Sequence, residues 1–343
     1  MKMLSYSIYA LLMLASGIFT KLLCICLNGN KLLDIPNQRS LHAEPTLKGG
    51  GVIFVVIFIS AIVILSWQHK INVANFIPML LPIAIIAVIG LLDDIFFYSA
   101  MQRILWHFIA ASLVVYYLGG ISGLGFNLNS PILIICCNIV LLVYLVWMLN
   151  LFNFMDGVDG LAAIETLTVC IGCAILYFIF GNRDAQAFHI LYNIPLLLAA
   201  AVAGFLCLNF PPAKIFMGDI GSGFLGLVLG ILSLFAMQEN LNFFYSWIIM
   251  LAVFITDATV TLLRRAWNQE KIFEPHRSHA YQHAALDYGN HLPVTLAVCL
   301  INCGWLFPIA ILAQINASYS LIYLIIAYCL PLILALKFNS GKK

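Results

Sequence analysis

Runs of roughly 18 or more apolar residues recur from one end of this 343-residue chain to the other, and they leave few folds open. Coiled as α-helix, such a run crosses the hydrocarbon core of a bilayer. Strands of a membrane barrel would be ~10 residues long and strictly alternating. These runs are longer and apolar all round. Only 9% of the residues are charged and 63% are hydrophobic, whereas a soluble domain carries about 25% charge. The expectation is an all-α polytopic membrane protein with about eleven transmembrane helices between residues 4 and 336, including 50–67, 104–119 and 243–263. No soluble domain interrupts them, so residues 1–343 read as a single integral-membrane domain. The first run, Leu4 to Leu27, lacks a small-residue cleavage site and reads as a retained span.

Charge is distributed unevenly. Loops after odd-numbered spans, with the C-terminus, hold 13 of the 16 Lys and Arg residues. The positive-inside rule places them in the cytoplasm, with the N-terminus outside and the C-terminus cytoplasmic. The cytoplasmic loops then lie near 28–48, 93–103, 152–160, 210–221 and 264–292. The same side collects Asp93, Asp94, Asp156, Asp159, Asp219, Glu270, Glu274 and Asp287, against Asp184 and Glu239 on the other. The polar function therefore belongs to one face. The basic residues are scattered over many loops, which gives nucleic acid no continuous patch. Ten cysteines all lie within apolar runs. Cys170 and Cys173 have a metal or redox spacing, but embedded thiols behave as small core hydrophobes.

Four loops carry chemistry. Asp93-Asp94 closes the third span. Adjacent carboxylates repel unless a cation is near, and hard oxygen ligands suit Mg²⁺. The pair would serve equally to cap a following helix. Asn150 to Gly160 alternates amides, carboxylates and glycines, including Asn153, Asp156 and Asp159. Its spacing is wrong for a calcium loop. Asn209-Phe-Pro-Pro leads to Phe216-Met217-Gly218-Asp219-Ile220-Gly221-Ser222, a carboxylate in a glycine-rich turn, where Asp219 or Ser222 could also cap the next helix. In Glu274-Pro275-His276-Arg277-Ser278-His279, histidines three apart beside an arginine suit phosphate, or alternatively a transition metal. A fifth loop runs from Pro36 through Arg39 and His42 to Lys48-Gly49-Gly50-Gly51, and serves as a flexible turn or an anion cradle. Asp257 lies about two turns before Arg264-Arg265 and could pair with them; Glu165 faces the bundle interior; His107 reads as an ordinary border residue.

Together these loops suit Mg²⁺ and a polyphosphate, reached by a soluble nucleotide from the cytoplasm and by a lipid from the bilayer. They resemble the polyprenyl-phosphate N-acetylhexosamine-1-phosphate transferases, glycosyltransferase family 4, from Pro36 to about His283. The pairing of Asn150–Gly160 with Phe216–Ser222 is the specific part. The His276-Arg277-Ser278-His279 segment is similar to the O-antigen-initiating subgroup; the peptidoglycan enzyme carries consecutive histidines there. The resemblance implies transfer of an N-acetylaminosugar-1-phosphate from a UDP-sugar to undecaprenyl phosphate, releasing UMP, at the cytoplasmic face of a bacterial inner membrane. Asp219, with Asn153, would hold Mg²⁺ or Mn²⁺. Asp93 and Asp94 would lie at the reaction centre. Lys48, Asn153, Asp156, Asp159 and Asn209 would line the nucleotide pocket, with Phe216 stacking on uracil. His276, Arg277 and His279 would hold phosphate oxygens. A third acid that the family often shows after the aspartate pair is missing from Asp93-Asp94-Ile-Phe-Phe-Tyr98. The rival expectations are the peptidoglycan phospho-N-acetylmuramoyl-pentapeptide transferase and, from another class, an ion-coupled transporter. A homodimer is compatible with the sequence.

Overall fold

The computed structural model describes residues 4–26, 33–36, 44–271 and 276–342. Arg39, His42, Glu274 and Pro275, singled out above, lie outside the described residues. In chain order the helices begin with α1 (Tyr6–Cys26), α2 (Gly51–Trp67), α3 (Leu80–Phe96), α4 (Ala100–Tyr117), the single turn α5 (Gly120–Gly123) and α6 (Pro131–Met155). There follow α7 (Leu161–Phe180), α8 (Ile194–Asn209), α9 (Gly218–Glu239), α10 (Leu241–Met250), α11 (Ala252–Trp267) and α12 (Ala280–Tyr288). The last three are α13 (Leu292–Ile301), α14 (Phe307–Ile315) and α15 (Ser320–Lys337). Wide π-turns at His189–Asn193 and Asn302–Leu306 join α8 and α14 to the helical residues before them.

The all-α membrane architecture is as expected, with a smaller count of spans. Among the described residues eight helices are long and apolar enough to cross a membrane, or nine if the pair α10–α11, bent by 69°, is one span. The expected spans at 50–67 and 104–119 are helices, α2 and α4, but α2 has only 17 residues. Helix α4 carries Gln102, Arg103 and His107 in its first half, which lowers its hydropathy.

Helix α9 is the axis of the bundle and is buried almost throughout. It packs chiefly on α3 and α6, and also on α2 and α10. In lipid, helices gain little by hiding apolar surface from one another, so close approach of small residues matters more. Glycines permit it here. A Cβ on Gly90 of α3 would lie 2.6 Å from the carbonyl oxygen of Asp219, and one on Gly51 would lie 2.6 Å from the Cα of Gly221. Helix α1 is tied into the bundle by its contact with α8: Ser16 Oγ donates to Ala201 O (2.6 Å) and Tyr9 Oη to Asn193 Oδ1 (2.8 Å). Glu165 faces the interior as expected, accepting from Asn302 Nδ2 at 2.7 Å. The outward faces of α1, α6 and α15 are lined by exposed Leu, Ile and Val, which is the pattern lipid contact requires.

Candidate active site

A short backbone zipper builds the first half of the site. Strand β1 (Leu33–Asp34) pairs antiparallel with β2 (Thr46–Leu47), and Leu47 bridges in parallel to Ile215. Phe216 N donates to Leu47 O (2.7 Å), Gly50 N to Phe216 O (2.9 Å) and Gly51 N to Met217 O (2.9 Å). The loop that ends in three glycines is thereby laid along the turn that starts α9. Lys48 comes to lie 2.7 Å from Asp94 Oδ1 and 3.9 Å from Asp219 Oδ1. Burial works against the charge on Lys48, but Asp219 and Asp94 outweigh it and hold its pKa above the usual lysine value.

Asp94 and Asp93 differ in role although they are neighbours. Asp94 accepts the backbone N–H of Asp219 on Oδ1 (2.9 Å) and of Ile220 on Oδ2 (3.2 Å). It is therefore the N-terminal cap of α9, supplied by α3. The expectation that Ser222 or Asp219 caps this helix is corrected: Ser222 Oγ donates back to Gly218 O (3.3 Å). The positive φ of Gly218, +75°, brings its backbone against the Asp94 carboxylate, where a Cβ would collide. Asp93 accepts from Tyr98 N (2.6 Å) and from Arg103 Nη1 (3.2 Å).

In the sequence Arg103 is one of the basic residues of the loops expected on the cytoplasmic side and belongs to no motif. In the structure its Nη1 also donates to Asp219 Oδ2 at 3.2 Å, so one guanidinium nitrogen joins the carboxylates of α3 and α9. One signal was available: a basic residue a short helical start after an acidic pair can fold back on it. Asp219 keeps a side chain that is 24% exposed, and Asn153 lies nearby with Nδ2 3.4 Å from Ser222 Oγ.

Of these groups Asp93, Arg103, Asn153 and Asp219 line a cavity of about 600 Å³, within the range of small-molecule sites. Asp93, Arg103, Asn153, Asp156, Asp219, His276 and His279 all contribute to its wall. So does His107, read from sequence as an ordinary border residue, whose Nδ1 lies 3.2 Å from Asn150 Nδ2. The lining is also apolar in part, with Ile86, Ile104, Phe108, Val143 and Trp147 from α3, α4 and α6. Phe108 and Val143 are also exposed on the lipid-facing side. Burial and the nearby Asp219 push the Asp156 carboxyl well above the usual carboxylate range.

Other expected residues are placed differently. Asn209 is buried, accepting from Gly160 N (3.1 Å) and donating to Ile215 O (2.9 Å). Asp159 accepts from Ala213 N (3.0 Å) and pairs with His291 Nδ1 (3.1 Å). Both stitch the Asn150–Gly160 turn to the stretch before α9, outside the cavity wall. Phe216 is half-buried and likewise outside it. His276 is stacked on His279 at 5.0 Å, and burial, then His279 and Arg265, lower its pKa to about 3. Asp257 does not pair with Arg264 or Arg265. It accepts instead from Thr261, Ala280 N, Tyr281 N and Ser340.

Among the described residues no group of three or more His, Cys, Asp or Glu side chains is arranged to hold a metal ion. That geometry still fits Mg²⁺, which takes one or two carboxylates and completes its shell with phosphate and water. Asp219, partly exposed on the cavity beside Arg103, Lys48, Asp93 and Asn153, is the suitable donor. Both oxygens of Asp94 are engaged by backbone N–H groups.

Comparison with known proteins bears on the same segment. The family model described as Glycosyl transferase family 4 matches residues 76–237. A probable undecaprenyl-phosphate N-acetylglucosaminyl 1-phosphate transferase of Bacillus subtilis is 36% identical over 146 residues, 40% of this chain and 40% of that protein. A decaprenyl-phosphate N-acetylglucosaminephosphotransferase of Mycobacterium leprae is 28% identical over 314 residues, 82% of this chain and 77% of that protein. A phospho-N-acetylmuramoyl-pentapeptide-transferase of Brachyspira hyodysenteriae is 40% identical over 81 residues, 22% of this chain and 20% of that protein. The matched region holds Asp93, Arg103, Asn153, Asp156 and Asp219, which the fold gathers around one cavity, and Asp94, which caps α9 beside them. The segment that forms most of the site, residues 76–237, is thus similar to glycosyl transferase family 4.

Proposed function

We propose that the protein transfers an N-acetylaminosugar-1-phosphate from a UDP-sugar to undecaprenyl phosphate, forming the lipid-diphosphate-sugar that starts O-antigen or another surface glycan. The observation that carries this reading is the mixed lining of one cavity, where Asp93, Arg103 and Asp219 occur together with Ile104, Phe108, Val143 and Trp147. A polyphosphate suits the charged groups and a polyprenyl chain entering from the bilayer suits the apolar ones. N-acetylglucosamine is the first sugar to test, because it appears in the names of the Bacillus and Mycobacterium relatives. The charge asymmetry supports a cytoplasmic active face in a bacterial inner membrane, with the N-terminus outside.

A phosphate oxygen of the lipid forms a bond to the sugar-bearing phosphorus, and the bond from that phosphorus to the UMP oxygen breaks. Lys48 and Arg103 neutralise charge on the diphosphate. Mg²⁺, held by Asp219 with Asn153 beside it, would supply further charge neutralisation at the diphosphate. Asp93 orients the attacking lipid phosphate. Asp94 holds the start of α9, and with it Asp219, in register. Its engaged oxygens disfavour a covalent aspartyl intermediate, so a single displacement is the simpler route. His276 and His279 line the cavity and would meet the nucleotide or its phosphates, His276 as a neutral ring; Arg277 lies between them in sequence.

The local match to the pentapeptide transferase makes peptidoglycan synthesis the second reading. The test is UMP release by detergent-purified protein with undecaprenyl phosphate, Mg²⁺ and a panel of UDP-sugars. Turnover of a UDP-N-acetylhexosamine is expected. Turnover of UDP-N-acetylmuramoyl-pentapeptide alone would favour the second reading, and UMP from none of them would overturn both.

A further inference from the structure

The four residues Asn339–Lys342, beyond α15, fold back onto the loop that carries the two cavity histidines. Ser340 is fully buried. Its Oγ donates to Asp257 Oδ1 at 2.7 Å and lies 3.0 Å from Thr261 Oγ1. Its carbonyl accepts from Arg264 Nη1 at 2.7 Å. Gly341 N donates to Ser278 O at 2.6 Å, in the middle of the histidine loop. Gly341 has φ +78°, and a Cβ there would lie 2.7 Å from Arg264 Cβ and 2.9 Å from Thr261 O.

Asp257 is the centre of this clasp. Its Oδ1 accepts the N–H of Ala280 (2.9 Å) and its Oδ2 that of Tyr281 (3.0 Å), so it caps α12 from α11. The same Oδ1 lies 3.5 Å from His279 Nδ1. The His279 ring is buried and forms part of the cavity wall, and its Nε2 has no hydrogen-bond partner among the described residues. An unsatisfied buried polar atom in a ring that lines a cavity calls for an explanation, and a ring held in place for a ligand is one.

We propose that Asp257 and Ser340 are positioning residues for nucleotide-sugar binding. Together with the Gly341–Ser278 contact they fix the His276–Gln282 segment so that the His279 ring keeps its place in the wall of the substrate cavity. This rests on the transferase reading above and adds to it a device at the carboxy-terminal end of α15. Within it, Asp257 and Ser340 touch no substrate atom and act through His279 and the start of α12. Loss of the Ser340 hydroxyl frees one bond to the Asp257 carboxylate and loosens a constellation in which small displacements matter.

The test compares Ser340→Ala, Ser340→Thr and Gly341→Ala with the wild type, all as full-length protein in detergent. The wild type must first release UMP, which settles the underlying reading separately. Ser340→Ala is expected to lower kcat/KM for the UDP-sugar about 10- to 100-fold. KM for undecaprenyl phosphate should stay within about twofold, since the hydrogen bonds of the clasp run to α11, the histidine loop and the start of α12, while the apolar lining comes from α3, α4 and α6. Ser340→Thr, which keeps the hydroxyl, should recover most of the loss, and Gly341→Ala should follow Ser340→Ala. UMP affinity, measured by calorimetry on the same samples, should weaken in step. The proposal is overturned if Ser340→Ala melts earlier but keeps wild-type UMP affinity and kcat/KM, or if both KM values rise together.

Discussion

Asp94 of α3 accepts the backbone N–H of Asp219, the first acidic residue of α9, at 2.9 Å. The carboxylate that looked like half of a metal pair is thus the cap that positions the other carboxylate. With Lys48 at 2.7 Å on the same oxygen, Asp94 joins three separate chain segments.

Replacing these two aspartates should therefore have different consequences. The Asp94 side chain is fully buried, and Asp94→Ala leaves Lys48 and two N–H groups without their acceptor, at a cost of about 3–5 kcal/mol. Asp219→Ala removes a partly exposed carboxylate and is expected to cost about 1 kcal/mol or less, while abolishing UMP release. Thermal unfolding in detergent alongside the transferase assay checks both. Equal melting losses would remove the capping role.

Arg103 donates to Asp93 and to Asp219 at 3.2 Å each, and it competes with a cation for both. Arg103→Gln is expected to lower kcat about 10²–10³-fold through lost charge stabilisation. The Mg²⁺ concentration giving half-maximal activity should fall at the same time. EDTA should stop the wild-type reaction and Mg²⁺ restore it; activity that survives chelation would exclude the metal-assisted route.

Gly90→Ala tests the close approach of α3 to α9. The added methyl would lie 2.6 Å from backbone atoms of Asp219 and Ile220, none of which can rotate away. Overpacking of this kind costs about 1–3 kcal/mol. Because the atoms that must move carry Asp219, activity should drop by more than the melting shift accounts for. A variant with normal turnover would show that the site tolerates displacement of α9.

Asn209→Ala should unseat the Gly160 and Ile215 backbones. A lower melting temperature is expected, with about 1–3 kcal/mol lost for the unsatisfied buried groups. KM for the UDP-sugar should change little in the protein that remains folded. A large rise in KM with unchanged stability would instead place Asn209 in the nucleotide pocket.

His276 supplies a pH signature. Burial, followed by His279 and Arg265, puts its folded pKa at about 3, below the ~6.5 of an unfolded histidine. A base with a depressed pKa favours folding above the unfolded value, and that contribution is lost as the pH falls from about 6.5 towards 3. The melting temperature of the wild type should therefore fall more steeply between pH 6.5 and 4.5 than that of His276→Gln. Parallel curves would show that the ring protonates freely in the fold.

Membrane class, the helical segments and the acidic loops on one face were legible in the sequence. Apolar run length reports helices directly, but α2 is too short and α4 too polar to count among the eight or nine membrane-crossing helices of the described residues, against the eleven expected. Asp219 stood out in the sequence as a carboxylate in a glycine-rich turn at a helix start, open both to capping and to a site role. The division of labour among the polar residues was not legible. Asp93 and Asp94 are adjacent, yet the ~100° step between neighbours on a helix sends one to Arg103 and the cavity and the other to the start of α9. Arg103 and Asp257 carry no motif. Their partners, Asp219 and Ser340, are 116 and 83 residues away in the chain. Hydrogen bonds over such separations depend on which helices pack together, and here small residues along α9 decide that. The sequence by itself determined a helical membrane protein with acidic loops gathered on one face. Only the tertiary structure decided which carboxylates face the cavity and which hold helix ends, because helix N-termini buried at a membrane border must find acceptors, and the nearest are aspartates from other helices.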